Sequence, residues 1–147
     1  MNSHADYAFT SLCIWREARG EGQAGMTAVA CVLRNRVHKN NSTYFAEVTK
    51  PWQFSSITAK GDPQLGLFPG ATDGLWTTAQ LTAGNVIDGD VQDITNGATL
   101  YWNPAGIESD KTYVLPDGSQ VKFPHTWNPA AVRWTATIGH HIFLKEV

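Results

Sequence analysis

Glu17 is the residue of this sequence best placed to donate and recover a proton. It sits in Trp15-Arg16-Glu17-Ala18-Arg19-Gly20-Glu21-Gly22, the join between two predicted helices. The last turn of a helix is the negative end of its dipole, which disfavours an ionised carboxyl, as does partial burial beside Trp15. A proton donor working near neutral pH needs such surroundings. Arg16 and Arg19 oppose this if they face the carboxyl, and the octapeptide leaves their direction open. Glu21 has the opposite placement, in or before the first turn of the second helix, where a negative charge is favourable. By itself the octapeptide reads equally well as two solvated glutamates on helix ends with arginine partners.

Other groups with chemical potential are scattered. Asp90 and Asp93 offer second carboxylates, although aspartates in a turn are more often local hydrogen-bonding caps. In Pro51-Trp52-Gln53-Phe54-Ser55-Ser56-Ile57, apolar and polar residues alternate weakly. The pattern predicts a short strand with Gln53 and Ser55 on one face and Trp52 and Phe54 on the other. An amide and a hydroxyl on one face suit sugar hydroxyls and N-acetyl groups, and equally suit a plain edge strand with a wet face. His125, His140 and His141 lie in the second half without HExxH-like spacing, and neighbouring histidines on one strand point oppositely.

The elements that position these groups follow from periodicity. Ala5, Ala8, Phe9, Leu12 and Cys13 mark one face of a first helix, which Gly20 and Gly22 stop. Met26, Val29, Ala30, Leu33 and Val37 mark a second, ending near His38 to Ser42. Asn41 or Ser42 caps a short helix through Val48, and Pro51 breaks it. Gly61 to Gly74 reads as a long loop. Asp73 then caps a helix carrying Trp76, Ala79, Ala83, Val86 and Ile87, ended by Gly89. Thr95 to Pro104 runs from a turn into a strand. Thr112–Leu115 and Gln120–Phe123 flank Pro116-Asp117-Gly118-Ser119 as a hairpin, and Trp134–Leu144 favours strand again. The expected fold class is α+β, a mainly helical N-terminal half and a small antiparallel sheet in the C-terminal half.

The 147 residues are expected to form a single domain, residues 1–147, with 42% hydrophobic and 16% charged residues. A formal net charge of -2 argues against a general nucleic-acid binder. Six tryptophans and four tyrosines favour a carbohydrate partner, because aromatic faces make platforms for sugar rings. No secretory signal and no run of about 18 apolar residues is present, so no membrane insertion is expected. Cys13 and Cys31 fall inside predicted helices and read as buried thiols.

Taken in order, these blocks carry a resemblance. Glu17-Ala18-Arg19-Gly20-Glu21, followed by a small-residue helix into Arg34-Asn35-Arg36-Val37, resembles the opening of the spore cortex-lytic and bacterial cell-wall hydrolase family. Gln53-Phe54-Ser55 and Gly97-Ala98-Thr99-Leu100-Tyr101 resemble its middle blocks. Trp127 and Ile138-Gly139-His140-His141-Ile142-Phe143 resemble its ending. The resemblance runs from about Tyr7 to the C-terminus. It implies a lysozyme-like fold, similar to lytic transglycosylases, and cleavage of peptidoglycan glycan strands. It implies Glu17 as the catalytic acid and a groove lined by Gln53, Phe54, Ser55 and Tyr101. Glu21, Trp127 and His141 complete the implied substrate-binding set, with no metal and no cofactor. Gly106 to Phe123 looks like an insertion relative to the spore enzymes. That difference argues against a spore-cortex substrate. A stand-alone domain with no signal and no repeat-type wall-binding module is expected to be a phage or prophage endolysin, a monomer made in the host cytoplasm without a signal peptide and acting on the wall after release.

The mechanism expected from this family turns on the number of carboxylates. The bond between N-acetylmuramic acid and N-acetylglucosamine breaks through an oxocarbenium-like transition state once its bridging oxygen is protonated. A hydrolase adds a second carboxylate, for which Glu21, Asp90 and Asp93 are the candidates. A single glutamate suffices if it then acts as base on the muramic acid C6 hydroxyl, closing an anhydro ring. Lytic transglycosylation is therefore the first expectation and hydrolytic muramidase activity the second. A zinc amidase and a non-catalytic glycan-binding module are the readings from other classes.

Overall fold

Ser3 opens the first helix with a reciprocal cap. The Asp6 amide donates to Ser3 Oγ at 3.2 Å, and the Ser3 amide donates to Asp6 Oδ2 at 2.7 Å. The computed structural model describes residues 1–147. Helix α1 spans His4–Ala18, and one turn of 3-10 helix, Arg19–Glu21, leads into α2, Gly22–Asn40. Gly22 makes that junction at φ 69, a left-handed angle that costs glycine little. Thr43, one residue beyond the two expected caps, caps the short α3, Tyr44–Thr49, by accepting from the Ala46 amide at 3.1 Å.

The stretch expected as a strand at Pro51–Ile57 is instead a turn followed by a one-turn helix α4, Ser55–Thr58. The Gln53 amide closes the turn on the Lys50 carbonyl at 3.3 Å, so no ladder partner is needed. Asp73 caps α5, Gly74–Ile87, accepting from the Leu75 and Trp76 amides, as its sequence position predicts.

Strands β1 (Leu100–Trp102), β4 (Val132–Ile138) and β5 (His141–Glu146) form an antiparallel sheet in the order β1-β5-β4. The single strand expected over Trp134–Leu144 is broken by a two-residue turn, Gly139-His140, with Ile138 paired to His141 and Gly139 at φ 58. The predicted hairpin is present as β2 (Thr112–Val114) and β3 (Gln120–Lys122), with Gly118 at φ 86 in its turn.

Helix α2 lies between two layers. Met26, Val29, Ala30 and Leu33 join Cys13, Ile14, Trp15, Ala79, Ala83 and Val86 in the helical core, while Ala28 and Val32 pack on Ala98, Ala136 and Phe143 of the sheet side. The predicted face of α1 is rotated. Its buried side includes Asp6, Thr10, Cys13 and Ile14, whereas Ala8, Phe9 and Leu12 border a half-open apolar cleft with Phe68, Pro69 and Trp76. Asp6 is tolerated inside because its carboxylate also accepts the Phe45 amide at 2.8 Å. Cys13 and Cys31 are both buried free thiols. No helix is long and apolar enough to cross a membrane.

Candidate active site

Glu17 lies in the last turn of α1, half-buried, and one side chain bonds to its carboxylate. The Tyr101 hydroxyl donates to Glu17 Oε1 at 2.5 Å, joining β1 to the end of α1 across 84 residues of sequence. Burial first, and then the neighbouring Glu17 charge, pushes the Tyr101 phenol well above its usual range. It therefore stays a proton-bearing donor, fixing one carboxylate oxygen and leaving the other for a ligand. The Tyr101 ring is itself held, stacked on Phe143 at 5.8 Å and edge-on to His141 at 5.2 Å.

The two arginines beside Glu17 point elsewhere. Arg16, 8% exposed, donates to the carbonyls of Ser56 (2.9 Å), Leu67 (3.2 Å) and Leu65 (3.3 Å), tying the long loop to α1. Arg19 donates to the carbonyls of Trp15 and Arg16 and to Gln64 Oε1, with its guanidinium 4.1 Å over the Trp15 ring. Both cap or brace backbone, a task arginine performs well at a helix C-terminus. Neither pairs with Glu17.

Glu21 is committed to the β4–β5 turn. Its Oε1 accepts the His140 amide at 2.8 Å, and its Oε2 meets His141 Nδ1 at 2.5 Å. The His140 ring also approaches Oε1, at 3.2 Å, so both histidines face one carboxylate. Opposite strand faces do not separate them, because His140 belongs to the turn and only His141 to β5. A Cβ on Gly139 would lie 3.0 Å from Glu21 Oε1, and one on Gly25 would lie 2.6 Å from Glu21 Cβ. Two glycines thus leave the room that Glu21 fills. Burial alone would raise its carboxyl, but the His140 amide and the two histidines outweigh it, and Glu21 is held below its ordinary value. Glu21 stands at the N-cap of α2, before its first turn as its sequence position predicts, and makes no side-chain cap bond there. Glu17, Tyr101, His141 and Glu21 form one row, and its far end faces protein.

The remaining candidates separate. Gln53 and Ser55 are exposed, and Gln53 lines a polar cavity of about 250 Å³ with Arg36, Thr99 and Leu100 among others. Phe54, expected in the groove, is 1% exposed and belongs to the helical core, because the turn replaces the alternating strand. Trp127 packs on Trp102 and Phe123, each at 5.9 Å. Trp102 follows Tyr101 on β1 and points to the opposite sheet face, so Trp127 is removed from Glu17. Asp93 is saturated by Asn35, Thr95 and Gly97 as a local turn cap, and Asp90 is exposed just beyond α5. No three His, Cys, Asp or Glu side chains converge as a metal-ligand group.

Arg36 was not singled out as a site residue by its sequence. It donates to the Thr99 carbonyl at 2.6 Å, lies 5.1 Å over the Phe54 ring, and keeps Nη1 buried without a protein partner. The available signal was a charge at i+7, i+4 and i+3 from Val29, Val32 and Leu33, on the apolar stripe of α2.

Two solved structures are similar to this chain over nearly its whole length. The catalytic domain of the germination-specific lytic transglycosylase SleB from Bacillus anthracis superposes with a TM-score of 0.67 at 27% identity, covering 97% of this chain and 96% of that one. The SleB catalytic domain from Bacillus cereus gives 0.67 at 26% identity, covering 99% and 93%. No curated protein sequence matches. The family model described as Cell Wall Hydrolase matches residues 20–144, starting just after Glu17, while the structural alignments span nearly the whole chain and so take in α1 as well. On that match the chain belongs to the cell wall hydrolase family.

Proposed function

We propose that this cell wall hydrolase, a peptidoglycan-degrading enzyme by its family, cleaves the bond between N-acetylmuramic acid and N-acetylglucosamine by lytic transglycosylation, with Glu17 as its single catalytic carboxyl. The observation that carries this is the unequal fate of the two glutamates. Glu17 has one protein partner, the Tyr101 hydroxyl, and Glu21 has the Gly139–His141 turn. Glu17 protonates the bridging oxygen as the C1–O bond breaks, and positive charge develops on the muramic acid ring. The carboxylate left behind then takes the proton of that sugar's own C6 hydroxyl. The C6 oxygen bonds to C1, so the acid is regenerated and no water is consumed. Tyr101 donates throughout to Oε1, which keeps Oε2 facing the reacting oxygens. The likeness to a SleB domain described as a lytic transglycosylase supports the same reading. The endolysin role and action after release from a host belong to this proposal too, and rest on the difference from the spore enzymes that the sequence suggests at Gly106–Phe123.

Products decide the reaction. Digestion of peptidoglycan in oxygen-18 water should yield 1,6-anhydromuramic acid ends, lighter by one water, without heavy oxygen and resistant to borohydride. Reducible muramic acid ends carrying oxygen-18 would make water the nucleophile and overturn the single-carboxyl mechanism. Parallel digestion of spore-cortex and vegetative walls tests the endolysin role, for which the vegetative wall should be the better substrate.

A further inference from the structure

Residues Lys50-Pro51-Trp52-Gln53 form a tight turn closed by the Gln53 amide on the Lys50 carbonyl, with Trp52 at φ 69. Proline second and a left-handed third residue are the marks of a type II turn, whose third position belongs by backbone preference to glycine. Here that position carries the largest side chain available, in a left-handed conformation that disfavours any Cβ. The indole gains no burial in return, being 93% exposed. Tryptophan at such exposure is uncommon, since its area normally goes into a core. Both the backbone and the surface are therefore worse for stability than glycine would make them, the pattern expected where a side chain is kept for contact with something outside the fold.

The surroundings indicate the contact. Trp52 lines an open cleft of about 400 Å³ with Pro51, Thr58, Ala59 and Lys60. The next residue, Gln53, lines the polar cavity shared with Leu100, the neighbour of Tyr101, and Phe54 lies under Arg36, which holds the Thr99 carbonyl. The Trp52 turn is thus attached through Phe54 and Arg36 to the strand that presents Tyr101 to Glu17. We propose that Trp52 and Lys60 form a distal saccharide subsite. The indole face takes the apolar face of an N-acetylhexosamine, and the Lys60 ammonium takes a carboxylate of the stem peptide on an adjoining muramic acid. This rests on the peptidoglycan reading above and extends it along the glycan.

Binding is measured by calorimetry in a Glu17→Gln background, where no turnover is needed. The probes are an N-acetylglucosamine tetramer and a purified glycan fragment bearing stem peptides. Trp52→Ala and Trp52→Gly should each weaken binding of both probes by about tenfold, and Trp52→Phe by much less. Trp52→Gly should melt no lower than its parent, because glycine suits the turn. Lys60→Ala should weaken only the peptide-bearing fragment. Binding within twofold of the parent in Trp52→Ala, no binding of either probe by the parent, or a large fall in melting temperature in Trp52→Gly would each overturn the subsite. Equal loss on both probes in Lys60→Ala overturns the role of Lys60. Residual lysis by Glu17→Gln counts against the catalytic assignment instead, so the two failures are distinguishable.

Discussion

Glu21→Gln tests whether the second glutamate is a clamp between the helices and the sheet. A helix-end charge alone is worth about 0.3–1 kcal/mol, the figure its sequence position suggests. The structure raises that figure. The bond from the His140 amide and the contact with His141 Nδ1 are both charge-assisted, and such bonds contribute about 1.5–3 kcal/mol each when shielded. The His141 pair is well shielded, with side chains 12% and 15% exposed, whereas the His140 ring at 84% exposure adds little. Glutamine can still accept the His140 amide, so the expected loss is about 2 kcal/mol, or roughly 4–8 °C in Tm for a domain of this size. Thermal melts at pH 7 with lytic rates on the folded protein provide the assay. The pH dependence supplies a second check. Because the folded Glu21 carboxyl is held below its ordinary value of 4.5, its contribution is complete above that pH and is lost as pH falls through the lower folded value. The melting gap between wild type and variant should therefore close in acid. A variant that melts within 1–2 °C of wild type (about the resolution of one weak surface pair) would refute the clamp. Inactivation at unchanged Tm would make Glu21 a catalytic partner and favour hydrolysis.

Glu17→Gln should lower the lytic rate by about a hundredfold or more with Tm unchanged, since glutamine keeps the shape and lacks the transferable proton. Comparable clearing of cells by a folded variant would remove Glu17 from the mechanism. Tyr101→Phe keeps the stack on Phe143 but removes the donor to Glu17, and turbidity assays should find roughly a tenfold slower reaction, with an unchanged rate counting against the positioning role. Gly139→Ala should lose about 1–2 kcal/mol to the left-handed backbone alone and more from its contact with the Glu21 carboxylate, read as a lower Tm that Glu21→Ala partly relieves.

Local chemistry made much of this protein legible before its fold was known. Asp73 caps its helix and Gly118 turns its hairpin because caps and tight turns depend on residues a few positions apart. The periodicity of Met26, Val29, Ala30 and Leu33 placed the central helix for the same reason. The block around Glu17, by its order with Gln53, Tyr101 and His141, also pointed to the family. Other outcomes required the assembled molecule. Alternation made Pro51–Ile57 look like a strand, but no neighbouring strand lies there to complete a ladder, and Phe54 turned inward while Trp52 turned out. The polar Asp6 and Thr10 lie on the buried side of α1 because four other helices, α2, α3, α4 and α5, pack around it, so one stripe could not describe its burial. Above all, the two glutamates stand four residues apart and look alike in sequence. Their surroundings differ through partners 84 and 120 residues away, a tyrosine hydroxyl on one strand and a glycine turn with His141 on another. Helix and turn signals come from neighbouring residues and can be read along the chain. The environment of a carboxylate comes from whatever folding brings beside it, and only the tertiary structure determines that.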